Sequence, residues 1–317
     1  MPRAIGANCC LLTLPETTYG TAPTGNWRRM PFLSCDLGAE QPLLDADVIG
    51  VGSNRDPAAP FLDTVTVAGQ AVVPVDLINI GHWLRLLLGA PTTTGTTNFI
   101  HTFGSGAASL PSNAMEIGYP DVPSFDVCTG VRADTLELDF TPTGAATATF
   151  GLMGQGSVRT GATSGGTPTS AAYTAFNKAQ GSITRSGSAL AQVTGARLTY
   201  ANGMEAVRTI RADRRVEGVD PGIARCTGQI TVRFENTTLL AQAQAGTSAE
   251  FAMAFTIDAN RSLTITLHEV YLALAKTPIE GPAGVEAAFE FRAAFNATAT
   301  QMMRAVLRNQ EAAAAYA

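Results

Sequence analysis

The stretch Thr64–Gly89 reads T-V-T-V-A-G-Q-A-V-V-P-V-D-L-I-N-I-G-H-W-L-R-L-L-L-G, and its two halves ask for different structures. Val65, Val67, Val73 and Val75, arranged around the Gly69–Gln70 step, are the β-branched residues of a strand. Leu77, Ile80, Leu84, Leu87 and Leu88 then recur at three- and four-residue spacing, which predicts a helix over Leu77–Leu88 stopped by Gly89. The plan returns at Ala224–Gly246, A-R-C-T-G-Q-I-T-V-R-F-E-N-T-T-L-L-A-Q-A-Q-A-G. There Gly228–Gln229 answers Gly69–Gln70, Val232 and Phe234 answer Val73 and Val75, and a shorter helix over Asn236–Ala245 runs into Gly246.

The echo extends outward in both directions. Asp56–Pro57 precedes the first copy and Asp220–Pro221 the second. Downstream, the alternation of Met115–Val122 matches that of Leu263–Val270, and Ala146–Phe150 matches Ala287–Phe291. Four blocks in one order predict an internal duplication. The expected division is an N-terminal arm at 1–28, a first domain at 29–157, a Gly/Ser/Thr-rich linker or loop at 158–189, a second domain at 190–309 and an alanine-rich tail at 310–317 without an evident core face.

Both domains read as mainly β with one flanking α-helix each. Strands are expected in the first at Met30–Leu37, Asp47–Gly52, Val65–Val75, Asn98–Phe103, Ala114–Tyr119, Ser124–Cys128, Ala133–Thr141 and Ala145–Met153. In the second they fall at Val193–Tyr200, Glu205–Ala212, Ala224–Phe234, Glu250–Ile257, Ser262–Leu274, Val285–Ala294 and Met302–Leu307. The run Thr135–Phe140 alternates cleanly, and Pro142-Thr143-Gly144 turns it into a hairpin.

Composition narrows the function classes. The 317 residues suit two domains of average size. Only 15% of them are charged, a low figure for a free monomer and natural for a surface covered by copies of the same chain. The net charge of −5 argues against a protein that grips nucleic acid by its phosphates. The five cysteines, Cys9, Cys10, Cys35, Cys128 and Cys226, form no C-x-x-C pair and read as free thiols of a reducing compartment. Met1–Ala7 lacks the apolar core of a signal peptide, and Leu77–Leu88 is too short for a membrane span.

No catalytic, cofactor-binding or metal-binding set emerges, so the expectation is a non-enzyme. The histidines His82, His101 and His268 stand apart, and His268–Glu269 lacks the second histidine of a zinc-protease helix. No G-x-S-x-G elbow and no phosphate-binding Gly-Lys loop is present. Glu137 and Asp139 lie two apart on one strand face, a spacing that suits solvated charges better than a catalytic dyad.

Several of these residues, in this order, resemble the major tail tube proteins of long-tailed, siphophage-type bacteriophages. The marks are E-T-T-Y-G-T at Glu16–Thr21, Asp56–Pro57 ahead of the Val67–Val73 strand, Leu88–Gly89 closing the helix, and F-D-V-C-T-G-V at Phe125–Val131. The resemblance implies β-sandwich subunits whose long strands join into an inner β-barrel, in rings stacked as a hollow tube that conducts DNA at ejection. It also implies a tape measure protein in the lumen before ejection, terminator and distal tail proteins at the ends, and assembly in the host bacterial cytoplasm. Rings of the family are mostly six-fold. Two domains per chain therefore suggest a ring of three chains, with six as the alternative.

On that reading the lumen should be acidic or neutral, with Asp134 or else Glu137 and Asp139, together with Gln70 and Gln229, on the polar faces of the strands expected to line it. The competing readings are a two-domain β-rich tail-tip or surface binding module of adhesin type, and a β-sandwich hydrolase. Two tryptophans and six scattered tyrosines count against an aromatic carbohydrate site.

Overall fold

Seventeen consecutive residues, Ser124–Phe140, form a single strand that belongs to two sheets at once, and the first half of the chain is arranged around it. The computed structural model describes residues 3–46, 48–49, 56–190, 192–279, 281–282 and 284–317. The expected strand at Asp47–Gly52 lies mostly outside them.

The first half comprises β1 (Cys10–Pro15), β2 (Arg28–Met30), β3 (Ser34–Cys35), β4 (Gly38–Glu40), β5 (Leu43–Leu44), β6 (Phe61–Leu62), β7 (Thr66–Pro74), helix α1 (Asn79–Leu88), β8 (Thr92–Thr94), β9 (Phe99–Gly104), β10 (Asn113–Tyr119), β11 (Ser124–Phe140), β12 (Thr147–Gly154) and β13 (Gly156–Thr160). The second comprises β14 (Gly181–Arg185), β15 (Ser188–Ala189), β16 (Val193–Ala201), β17 (Glu205–Val207), β18 (Gly218–Asp220), β19 (Arg225–Arg233), helix α2 (Thr238–Ala245), β20 (Ala249–Asp258), β21 (Arg261–Leu272), β22 (Glu286–Ala294) and β23 (Met303–Asn309).

The two halves repeat one pairing scheme. Through its N-terminal part β11 pairs with β10 and β13, and β10 in turn pairs with β1. Through its C-terminal part β11 pairs with β12, and β12 pairs with β7. In the second half β21 pairs with β20 and β23, and β20 with β14, while the end of β21 pairs with β22 and β22 with β19. The registers agree as well. Gly69 faces Leu152 across β7–β12, and Gly228 faces Phe291 across β19–β22. Counting on from these two glycines, α1 begins ten residues after Gly69 and α2 ten residues after Gly228.

Gly130 is where β11 changes sheets. Its φ of +65° is the left-handed backbone that glycine adopts freely, and a Cβ there would run into Tyr19 and Gln155. Gly69 and Gly228 serve a different need. A Cβ on Gly69 would strike the backbone of Leu37, and one on Gly228 the carbonyl of Arg197 and the ring of Phe291, so both glycines let an edge strand approach closely.

Between the layers lies one continuous apolar core. Alternation places Ala148, Phe150 and Leu152 of β12 and Leu136, Leu138 and Phe140 of β11 inside it. Helix α1 buries Ile80, Trp83, Leu84, Leu87 and Leu88 against these strands, with Trp83 stacked on Phe150 at 5.0 Å between ring centroids. Its first turn is held by the buried Asp76 carboxylate, which accepts from the Ile80 amide at 2.9 Å and the Asn79 side chain at 2.6 Å. Gly89, at φ +96°, ends it with an amide bond to the Arg85 carbonyl at 2.8 Å.

Several sequence expectations are corrected. Met115–Ile117 corresponds in the fold to β20 and not to Leu263–Val270, because β10 and β20 are the first strands of matching hairpins. Phe150 corresponds to Phe289, two residues before the expected Phe291, since Ala71 faces the one and Ile230 the other. Ser124–Cys128 and Ala133–Thr141 are one strand, Met30–Leu37 is broken between β2 and β3, and Glu205–Ala212 shrinks to β17.

The segments outside the expected domains are bound to the body. The 1–28 arm supplies β1 and buries Trp27. The 158–189 segment continues β13, buries Phe176 and supplies β14, its glycines and threonines pairing through backbone groups that composition does not register. The alanine-rich tail carries Tyr316, fully buried and edge-on to His82 and His101, with its hydroxyl donating to the Ile78 carbonyl at 2.8 Å.

Truncating this packing has a predictable cost. Leu84 is 1% exposed in the monomer. Leu84→Ala should lower unfolding free energy by about 2–5 kcal/mol, and Tyr316→Ala should cost a comparable amount. Chemical denaturation of the free chain checks both, and an unshifted midpoint for Tyr316→Ala would remove the tail from the core.

Candidate functional site

Paired strands continue from one half of the chain into the other. The C-terminal part of β11 pairs with β12 along one edge and with β16 along the other, from Thr135↔Ala201 to Phe140↔Ala196. The result is one sheet of eight strand positions, in the order β3/β4, β7, β12, β11, β16, β19, β22 and the end of β21. One side of it is the core. The other is open to solvent and carries the residues that alternate with the buried ones.

Cross-strand register defines that open face. One row runs Val72, Thr149, Glu137, Thr199, Thr227, Arg292 and Tyr271. The next runs Asp139, Arg197, Gln229 and Glu290. Four of the residues expected to share a face, Gln70, Glu137, Asp139 and Gln229, do so. Asp134 falls in the bulge between Ala133 and Thr135, where its carboxylate instead accepts from the Met204 amide at 2.9 Å.

The charges on this face come in opposite-sign pairs. Arg197 bonds Glu137 and lies 3.9 Å from Asp139, and Arg233 lies 3.9 Å from Glu286. The bond to Glu137 holds the Arg197 guanidinium still more firmly in its charged form. Arginines therefore alternate with carboxylates across the face, and it is mixed rather than acidic. The signal was present in the sequence. Arg197 occupies an outward position of the alternating run Val193–Tyr200, but only the pairing of β11 with β16 brings it to Glu137.

A second contact seals the join between the halves. The β17–β18 hairpin folds back onto the first half, where Val216 and Val219 are buried. Arg132 donates to the Val219 carbonyl and Gln155 to the Glu217 carbonyl at 2.8 Å, and the Val65 amide donates to the Arg214 carbonyl at 2.9 Å. Arg132 also lies over the Tyr19 ring, 4.8 Å from its centroid. Glu16 holds the turn that presents Tyr19, accepting from Ser112 at 2.6 Å, Gly130 at 2.8 Å and Gly20 at 2.9 Å. The segment Glu16–Thr21 is thus a clip between the N-terminus, the crossover glycine and the docked hairpin.

Among the described residues no group of three or more His, Cys, Asp or Glu is placed to hold a metal ion. His82 sits inside the α1–tail contact, its pKa pressed to about 3 by burial and by nearby arginines, so it is neutral at physiological pH. His101 is tied to Thr93, Asn309 and the Glu311 carbonyl, and His268 lies 3.3 Å from Glu250. Burial raises the Cys128 thiol to about 11 and the Cys226 thiol to about 12. No helix is long and apolar enough to cross a membrane among the described residues.

The sheet thus has one bare face and, among the described residues, no strand beyond either end. A family model described as phage tail tube protein matches residues 6–293, nearly the whole chain. The chain belongs to the phage tail tube protein family. No curated protein matches it. Family membership makes the tail tube subunit a structural component of the virion, and its mainly β architecture with two short helices accords with that role.

Two measurements check this geometry in the free subunit. Arg197→Met should change stability by less than about 1 kcal/mol, because the pair with Glu137 is exposed and solvent-screened. In native labelling at neutral pH, Cys10, Cys128 and Cys226 should resist alkylation while Cys9 reacts first, since burial suppresses both access and thiolate.

Proposed function

We propose that the chain is the repeating subunit of stacked rings in a siphophage-type tail tube, and that its halves are two tube domains of one duplicated design. The observation that carries this reading is the β11–β16 ladder. It joins two like-built four-strand units edge to edge within one molecule. The ladders extend the units beyond the bounds read from sequence, taking β1 into the first and β14 into the second.

Three chains then supply three times eight strands, or twenty-four. A closed barrel of that many strands, about 4.8 Å apart and tilted by roughly 40°, has a backbone diameter of roughly 45–50 Å. Barrels of 16–18 strands already hold an aqueous channel. The bare face of the sheet becomes the wall of this bore and the apolar core its supporting layer. Closure also removes the open strand edges that would otherwise make the free chain prone to aggregation. Head-to-tail stacking of rings is a heterologous contact, and it propagates without limit until terminator and distal tail proteins cap it.

Before ejection the bore holds a tape measure protein; at ejection it conducts DNA. Assembly takes place in the host cytoplasm, where the free thiols stay reduced. A wall of alternating Arg and Glu fits the passage of DNA. Guanidinium groups neutralised by neighbouring carboxylates release few counterions from DNA, so the duplex is neither held nor strongly repelled.

Native mass measurement and electron microscopy test the proposal together. Purified protein should form hollow tubes whose rings contain three 33.0 kDa chains, or 99 kDa. Compact particles that never form tubes would overturn the tube reading, and six-chain rings would overturn the trimer. Glu290→Lys adds positive charge to the wall away from the β11–β16 seam. Mutant tubes should retain DNA at low ionic strength and release it as salt rises, whereas wild-type tubes retain little.

A further inference from the structure

Beside the segment that leads from β2 into β3 lies a cleft of about 580 Å³. Four separate stretches of chain enclose it. They are the arm around Cys9–Leu11, the connecting run Arg29–Leu33, the first residue of α1, Asn79, and residues 170–173 of the Gly/Ser/Thr-rich segment. Leu11, Met30 and Phe32 make much of its wall apolar. Leu33 and Tyr173, also on the lining, are 60% and 58% exposed. A hollow of this size with largely apolar walls and a few polar groups is the usual form of a small-molecule site.

Two polar groups on the lining lack a partner. Asn79 is only 3% exposed, and its Nδ2 donates to the Asp76 carboxylate at 2.6 Å. That bond fixes the orientation of the amide, because the opposite one would set two oxygens against each other. The remaining oxygen, Asn79 Oδ1, is buried and accepts no hydrogen bond. A buried acceptor without a donor weighs against the fold, so a molecule that brings the donor is favoured there.

Arg29 is the second group. It is exposed and forms no ion pair among the described residues. Leu12 pairs with Arg29 on one side and with Glu116 on the other, so Arg29 and Glu116 share a face two strands apart. The Glu116 carboxylate is already occupied, accepting from the Thr163 hydroxyl and the Ser164 amide, each at 2.6 Å. The Arg29 guanidinium is thus left to hold an anion from outside the chain.

We infer that this cleft binds a small amphipathic carboxylic acid. Its carboxylate pairs with the exposed Arg29, its apolar body lies on Met30, Phe32 and Leu33, and a hydroxyl it carries donates to the buried Asn79 Oδ1. A wholly apolar molecule would leave both polar groups unmet, and an inorganic anion would leave the apolar wall in water. Phe32 and Leu33 run directly into β3, so the bound acid steadies the segment that carries the outermost strand of the sheet. The site belongs to the single chain and lies apart from the open face, so it does not depend on the tube reading.

Calorimetric titration of the free full-length chain tests this with three probes of one alkyl length: ω-hydroxycapric acid, capric acid and decyl alcohol. The hydroxy acid should bind one molecule per chain. Capric acid, which lacks the donor, and decyl alcohol, which lacks the acid, should each bind about tenfold more weakly. Arg29→Gln should weaken both acids about tenfold and leave the alcohol unchanged. Leu33→Glu should weaken all three. Both substitutions are at exposed positions, and unchanged melting of the free variants confirms their fold. Saturating hydroxy acid should also slow alkylation of Cys9, a free thiol on the lining, severalfold. If the hydroxy acid gives no binding, or the three probes bind alike, the assignment is wrong. Equal affinity of the two acids would mean that water alone meets Asn79 Oδ1, which overturns the hydroxyl contact. Acid binding that survives both substitutions would be adsorption elsewhere on the surface, and the cleft would not be the site.

Discussion

Backbone pairing along the β11–β16 ladder is the constraint on which the rest of the molecule depends. A strand edge presents unpaired amides and carbonyls, and a protein must pair, cover or blunt it. Here the first half solves the problem by accepting the second half as its neighbour. That choice fixes which face of the sheet is bare, because residues paired across the ladder point the same way. It also brings Arg197 to Glu137 and lays the β17–β18 hairpin over Tyr19 and Arg132. The ladder transmits register from one half to the other, so a slip of one residue at this seam would turn a whole four-strand unit inside out.

The two sheets are kept together by β11 itself. Its N-terminal part serves one and its C-terminal part the other, and Gly130 provides the left-handed residue at the crossover. The core between the sheets is filled from α1, the inward residues of β12 and the C-terminal Tyr316, and neither α1 nor Tyr316 belongs to the bare face. Stability and surface chemistry are thereby separated. Substitutions on the open face cost the fold little, while those behind it are expensive. The open face can therefore vary in sequence without loss of the scaffold.

The distribution of charge on the open face shows how little composition says about a surface. A net charge of −5 in 317 residues reads as an acidic protein. The open face nonetheless carries arginines beside its carboxylates, Arg197 at Glu137 and Asp139 and Arg233 at Glu286. Alternating signs give short-range fields that cancel within about a Debye length, about 8 Å at physiological salt. Averages over the chain cannot resolve an arrangement of this kind.

The sequence by itself determined the local elements. Val65–Val75 with its Gly-Gln step, the leucine periodicity of α1, the alternation of Thr135–Phe140 and the repetition of the first two at Ala224–Gly246 are all local signals, legible because period and branching act over a few residues. Only the tertiary structure decided what those elements join. Short alternating strands fit one another in several alignments, so the sequence echo paired Met115 with Leu263 where the hairpins pair it with Phe251. Composition made a linker or loop of 158–189 and showed no core face in 310–317, but the ladders of β13 and β14 and the burial of Tyr316 use backbone groups and one side chain that no composition window weighs. The meeting of Arg197 with Glu137, sixty residues apart in sequence, depended on which edge met which, and that is settled by long-range backbone pairing rather than by any single stretch of chain.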